Sequence, residues 1–158
     1  NRLIDASGAP VRLLGVNRSG TQYACVEGWG IFDGPADQAS VDAIRAWGTN
    51  AVRVSLNEQC WLGINGLPTS TTADSYRKAV TGFVDLLNHS GLYVVLDLHW
   101  NGPGTTKASD QLPMADRDHA PAFWASVAAT FKDHPAVLFD LYNEPFPDSN
   151  HDTDAAWK

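Results

Sequence analysis

The sequence has 158 residues, 44% of them apolar and 18% charged, enough to bury one sizeable core and too few for two typical domains. With 18 acidic against 11 basic residues, a formal net charge of −7 and no run of Lys or Arg, it excludes a nucleic-acid surface and favours an uncharged substrate. No stretch approaches the roughly 20 apolar residues of a membrane helix, and the N-terminus Asn1-Arg2-Leu3-Ile4-Asp5 has no signal-peptide pattern, so the chain reads as mature, processed or cut from something longer.

Leu3-Ile4, a turn at Asp5-Ala6-Ser7-Gly8, and Val11 to Leu14 predict an opening hairpin that runs into a first core strand ending near Asn17. Arg18 to Pro35 is a long loop rich in glycine and aromatic residues, and long loops in compact domains tend to be functional. Asp37 or Ser40 caps a helix with Val41, Ile44 and Trp47 on one stripe, closed by Gly48. The next strand, Ala51 to Leu56, carries Arg53 inside an apolar run, which is costly unless the guanidinium meets a carboxylate. A polar loop from Asn57 to Ser70 follows. Tyr76, Ala79, Val80, Phe83, Val84 and Leu87 recur at helical spacing and mark the clearest helix, ended by Ser90-Gly91. Leu92 to Trp100 is a strand finishing in His99 and Trp100. After another long loop, Pro121 suits the first turn of a helix through Phe123, Trp124, Val127 and Phe131, which His134-Pro135 breaks.

The last predicted strand, from Val137 to Tyr142, stops in Asn143-Glu144-Pro145. Pro145 has no N–H to donate and disfavours the helical region for Glu144. An acid that protonates a leaving oxygen needs its pKa lifted towards neutrality, and walls formed by Tyr142 and Phe146 are expected to desolvate Glu144 in part. An isolated Asn-Glu-Pro reads equally well as an ordinary strand exit; the rest of the chain tips the balance.

Four strands alternate with three helices, which implies parallel strands with right-handed crossovers. A doubly wound sheet is disfavoured because Gly15-Val16-Asn17-Arg18-Ser19-Gly20 lacks the third glycine of a phosphate turn and leads into a loop. A (β/α)8 barrel instead collects polar residues at one mouth. Asn17, Arg53, His99, Asn143 and Glu144 arrive there from four strands.

Cys25 and Cys60 are compatible with one disulfide or two free thiols and have no zinc spacing. Their position in predicted loops favours the disulfide and hence a secreted protein. Asp97-x-His99 lacks a third ligand at suitable spacing, so a hydrogen bond between mouth residues is expected and no metal or other cofactor. Trp61 and Trp100 follow strand ends, where an indole face is placed to meet a substrate. Trp47 and Trp124 read as core, and Tyr23 and Trp29 fit loop packing and a substrate wall equally. Glu27 and Glu58 read as solvated loop carboxylates, as does the cluster Asp116, Asp118 and His119.

Val52-Arg53-Val54, Leu96-Asp97-Leu98-His99-Trp100 and Tyr142-Asn143-Glu144-Pro145 resemble, in this order and spacing, the second, third and fourth barrel strands of the family 5 glycoside hydrolases, the cellulase family. Gly28-Trp29-Gly30-Ile31-Phe32 and Asn57-Glu58-Gln59-Cys60-Trp61-Leu62 resemble its bacterial endoglucanase-like branch. By that resemblance Glu144 is the acid/base, Asn143 the amide that binds the sugar 2-hydroxyl, Arg53 the guanidinium that holds the nucleophile, and His99 a substrate contact. The family is retaining, with two carboxylates about 5–5.5 Å apart. Its nucleophile is a glutamate on the seventh strand, whereas this chain ends just beyond the fourth.

The resemblance therefore implies a single partial catalytic domain over 1–158, the N-terminal half, about four βα units, of a (β/α)8 TIM barrel. It implies an endoglucanase that cleaves internal β-1,4 bonds of a plant-type polysaccharide, inactive as this chain alone. Two open sheet edges and an apolar concave face predict a partner, either the missing C-terminal half or a second copy of the chain. A non-catalytic carbohydrate-binding half-barrel is the alternative, and a metal-dependent amidohydrolase on the same fold a third possibility.

Overall fold

A computed structural model describes residues 2–146. Strands β1 (Leu3–Ile4) and β2 (Pro10–Val11) pair antiparallel as the expected hairpin. Asp5 fixes the turn, its Oδ1 accepting from the N–H groups of Ser7 and Ala9. Then β3 (Gly15–Arg18), β4 (Ala51–Asn57), β5 (Tyr93–Trp100) and β6 (Val137–Asp140) form one parallel sheet in sequential order. Sequential order has no switch point, so it is the order of neighbouring barrel strands and not that of a doubly wound sheet.

Each crossover is a helix. In α1 (Gln38–Arg45), Asp37 caps the first turn in a reciprocal pair with Ser40, and in α3 (Ala73–His89) Thr72 and Ser75 do the same. The last crossover helix, α4 (Ala120–Phe131), has Pro121 in its first turn. Alternation along the strands sends one set of side chains to these helices: Val52, Val54 and Leu56 of β4 and Val94, Leu96 and Leu98 of β5 are wholly buried against Val41, Ile44, Val80, Phe83, Val84 and Phe123. The opposite set holds the polar groups, with Asn17 in register with Arg53, Ser55 with Asp97, and Asp97 with Asp140.

Three sequence expectations are corrected here. The polar loop after β4 opens with a helix, α2 (Glu58–Leu62), capped by the Asn57 side chain accepting from Cys60 N at 3.0 Å. Cys25 and Cys60 do form a disulfide, but both sulfurs belong to the core and neither residue is exposed. Trp47 is 72% exposed beyond the end of α1, because that helix stops at Arg45 before the third position of its apolar stripe is reached. Trp124 is half-buried and packs edge-on against Phe123 and Phe139.

Candidate active site

Arg53 enters β4 as its third residue and reaches up the concave face of the sheet. One amino nitrogen, Nη2, lies 3.0 Å from Asp97 Oδ2 and donates to Asp140 Oδ2 at 3.1 Å and to Asn143 Oδ1 at 2.9 Å. Asp97 has no exposed side-chain surface, so the guanidinium supplies the counter-charge its burial requires. The same Asp97 oxygen accepts from His99 Nδ1 at 2.6 Å, the hydrogen bond the sequence predicts between mouth residues. That bond fixes the proton on Nδ1 and orients Nε2 away from the carboxylate.

Asn143 is buried and gripped from two sides. While its Oδ1 accepts from Arg53, its Nδ2 donates to Gln111 Oε1 at 2.7 Å, and Gln111 Nε2 donates back to the Asn143 carbonyl at 2.8 Å. One N–H of the amide is left for a ligand. Sequence reasoning missed Gln111, which lies in a loop with no periodicity and is brought to the site only by tertiary contact.

Glu144, next in the chain, is exposed and holds a left-handed φ of 40°, a conformation that costs a non-glycine residue about 1 kcal/mol or more. The expected walls are not around it. Tyr142 is buried and points the other way, its one hydroxyl proton shared between Asn101 Oδ1 at 2.7 Å and the Leu112 carbonyl at 2.8 Å, and Phe146 is itself 41% exposed. Strand parity explains the difference. Tyr142 and Glu144 would share a face in a continued strand, but β6 ends at Asp140 and the alternation ends with it.

At the mouth, Trp100 is half-buried beside Tyr23, ring centroids 6.2 Å apart, and Tyr23 meets Trp29 at 5.8 Å. Trp29 is two-thirds exposed, so Tyr23, Trp29 and Trp100 form an open aromatic row. The Tyr23 hydroxyl donates to Asp33, which pushes the phenol pKa up and, together with Arg18, holds the Asp33 carboxyl down. Asn17 is exposed on the same face. Trp61 is not part of this row: it is fully buried, donates from Nε1 to Ser126 Oγ at 3.0 Å, and packs on Tyr76, Phe123 and Phe131. As the fourth residue of α2 it turns to the core, where a loop would have let it face the mouth.

Behind the mouth lies a polar layer that the sequence did not reveal. Asn57 donates to the carbonyls of Gln22 and Ala108, and Tyr76 bridges Asn57 N to the Thr21 carbonyl. Burial pushes the Tyr76 and Tyr142 phenols up. Glu58, expected to be solvated, is completely buried, and that burial pushes its carboxyl up to about 8. Asp116 is half-buried beside it; burial raises its pKa, but hydrogen bonds from Asn101 Nδ2 at 2.8 Å and His119 N at 2.7 Å outweigh that and hold it well below the usual carboxylate range. Among the described residues no group of three or more His, Cys, Asp or Glu is arranged to hold a metal. The cavity of about 580 Å3 lined by Leu3, Ile4, Leu13, Tyr93 and Leu138 opens at the opposite, N-terminal end of the strands and takes no part in this site.

The family model described as cellulase, glycosyl hydrolase family 5, matches residues 4–158. The chain belongs to this family. Curated glycosyl hydrolase family 5 relatives include an endoglucanase of Microbulbifer sp. (strain ALW1), 30% identical over 92% of the chain and 25% of the relative, and one of Neurospora crassa, 33% identical over 83% of the chain and 33% of the relative. Among solved structures, the catalytic domain of the major endoglucanase from Xanthomonas campestris pv. campestris superposes with a TM-score of 0.68 at 24% identity, covering 91% of this chain and 44% of that one. An endocellulase variant from Pyrococcus horikoshii in complex with cellotetraose superposes at 0.66 and 22% identity, covering 88% and 39%. The chain thus spans a quarter to a third of these curated relatives and less than half of these structures, and its four-stranded parallel sheet with crossover helices matches the N-terminal half of the family's (β/α)8 barrel.

Proposed function

We propose that this chain supplies the acid/base half of a retaining endoglucanase that cleaves internal β-1,4 bonds of glucan, with Glu144 as the acid/base. The observation that carries the reading is the single Arg53 nitrogen that ties Asn143, Asp97 and Asp140 together next to Glu144. In this reading Glu144 protonates the glycosidic oxygen while a second carboxylate attacks the anomeric carbon, and Glu144 then takes a proton from the incoming water. The free N–H of Asn143 meets the sugar 2-hydroxyl, His99 presents Nε2 to a substrate hydroxyl, and Trp100 stacks on a pyranose face with Asn17 at the rim. Nη1 and Nε of Arg53 make no hydrogen bond to any described residue, which leaves them for the second carboxylate.

The second carboxylate belongs to the other half of the barrel, which also dries the mouth and so provides the desolvation that Tyr142 and Phe146 do not. The partner is accordingly a C-terminal half-barrel covering the open edge of β6, with a second copy of the chain as the lesser alternative. Extracellular location accords with the disulfide. The exposure of Glu144 in this chain by itself favours binding without hydrolysis for the isolated half.

The test compares the complete catalytic domain with residues 1–158 alone on soluble β-1,4-glucan. The complete domain should release product with the β configuration when followed by NMR at early times, and the half alone should bind oligosaccharide weakly without cleaving it. Release of the α anomer would contradict the retaining mechanism, and equal turnover by the half alone would contradict the shared site.

A further inference from the structure

Glu58 and Asp116 are two acids of the polar layer behind the mouth that the reading above leaves unused. Glu58 is fully buried at the first position of α2; its Oε1 accepts from Gly102 N at 3.1 Å, and its Oε2, equally buried, has no donor. Asp116 is better served: Oδ1 takes the N–H groups of His119 at 2.7 Å and Ala120 at 3.2 Å, and Oδ2 takes Asn101 Nδ2 at 2.8 Å and keeps one acceptor site. No lysine or arginine makes an ion pair with either carboxyl among the described residues. Glu58 and Asp116 approach the start of the same loop, Glu58 through Gly102 N and Asp116 through Asn101 Nδ2; with no cation paired to either, ionising both is disfavoured, and the buried Glu58 oxygen without a partner is where a proton fits.

We propose that Glu58 and Asp116 share one proton in a buried carboxyl–carboxylate hydrogen bond, donated by Glu58 Oε2, and that this bond positions the loop of residues 101–119 that grips Asn143. The pair fastens both ends of that loop. Glu58 holds Gly102, where a Cβ would collide with the Thr106 carbonyl and come 3.0 Å from Ala108 N, so the chain can pass there only as glycine. Asp116 fastens the far end onto the start of α4, and through Asn101 the pair reaches Tyr142, the residue before Asn143. Between the two anchors Gln111 clasps the Asn143 amide. Loss of the proton would set two negative charges against each other at the base of this clasp.

The groups facing the pair are Asp118 and His119 from the same loop and Tyr142 after β6. His119 Nε2 is engaged by the Gly104 carbonyl and lies 3.7 Å from Asp118. An unfolded chain releases the Glu58 proton near 4.5, whereas the folded chain keeps it to about 8. The stability that this proton supports is therefore full below the unfolded value and is lost as pH rises towards the folded one.

The test uses the complete catalytic domain. Infrared spectra of the wild type near neutrality should contain a protonated-carboxyl band that Glu58→Gln removes and that titrates away only on the alkaline side. Between about pH 5 and 8 the wild-type Tm should fall relative to that of Glu58→Gln, whose amide keeps a donor for Asp116 at every pH. Should that variant fail to fold, the infrared titration of the wild type decides alone. The kinetic arm rests on the hydrolytic reading: Glu58→Leu, which cannot donate, should lose roughly tenfold in kcat with KM little moved, and Glu58→Gln should recover most of it. Absence of the band, its survival in Glu58→Gln, parallel Tm profiles, a calcium-dependent Tm abolished by Glu58→Gln, or equal kcat losses in both variants would each overturn the proposal. If the band and the diverging Tm profiles appear but no glucan is cleaved, the shared proton stands and the hydrolytic reading falls.

Discussion

Arg53 binds three oxygens with one nitrogen, and its removal leaves Asp97 buried without a counter-charge. Arg53→Ala should destabilise the catalytic domain by about 3–5 kcal/mol, read from urea denaturation, and Arg53→Lys should recover only part of this because an ammonium cannot reproduce the planar fork. The two tryptophans that sequence reasoning treated alike separate sharply. Trp61→Ala should cost about 3–5 kcal/mol in stability, whereas Trp100→Ala should leave the midpoint nearly in place and raise KM for oligosaccharides. Equal stability losses would contradict the assignment of Trp61 to the core and Trp100 to the mouth. Arg53 was legible because a charge in an apolar run demands a carboxylate partner. Glu58 was not: nothing local distinguishes a buried acid in a five-residue helix from a solvated one in a loop. Its environment is assembled from Gly102 and Asp116, more than 40 residues away.

The four core strands and three long helices follow from periodicity, and the caps at Asp37 and Thr72 show how short-range chemistry sets the helix starts. Short α2 escaped because five residues cannot display a helical period, and with it went the placement of Cys60, Trp61 and Glu58. The Cys25–Cys60 bond joins α2 to the loop after β3 across 35 residues, and its closure of the unfolded chain predicts a stabilisation of about 3–4 kcal/mol. Replacing both cysteines with alanine should lower the Tm accordingly, as measured by calorimetry. Because α2 also carries Glu58, the same change should weaken the hydrogen-exchange protection of Gly102 N–H. The long loops are where sequence reasoning ran out, since Asn57, Gln111 and Asn101 acquire their partners only when three separate connections converge on the ends of β4, β5 and β6.

Among the described residues the sheet ends at β6 in an unpaired edge, with Leu141 67% and Phe139 40% exposed beside it. Apolar groups next to an open edge are a template for pairing, so residues 1–158 alone should elute from gel filtration as an oligomer or aggregate. Co-expression with the remaining half of the barrel should convert the chain to a compact species, and a cooperatively unfolding monomer without it would argue against the half-barrel. The account as a whole depends on Glu144 donating a proton to the leaving group, and the dependence of its loss on leaving-group quality tests that most directly. In the complete domain, Glu144→Gln should lower turnover on cello-oligosaccharides by a factor of roughly 100 or more and on activated aryl cellobiosides far less, since good leaving groups need no proton. Equal losses on both substrates would show that Glu144 has no acid role.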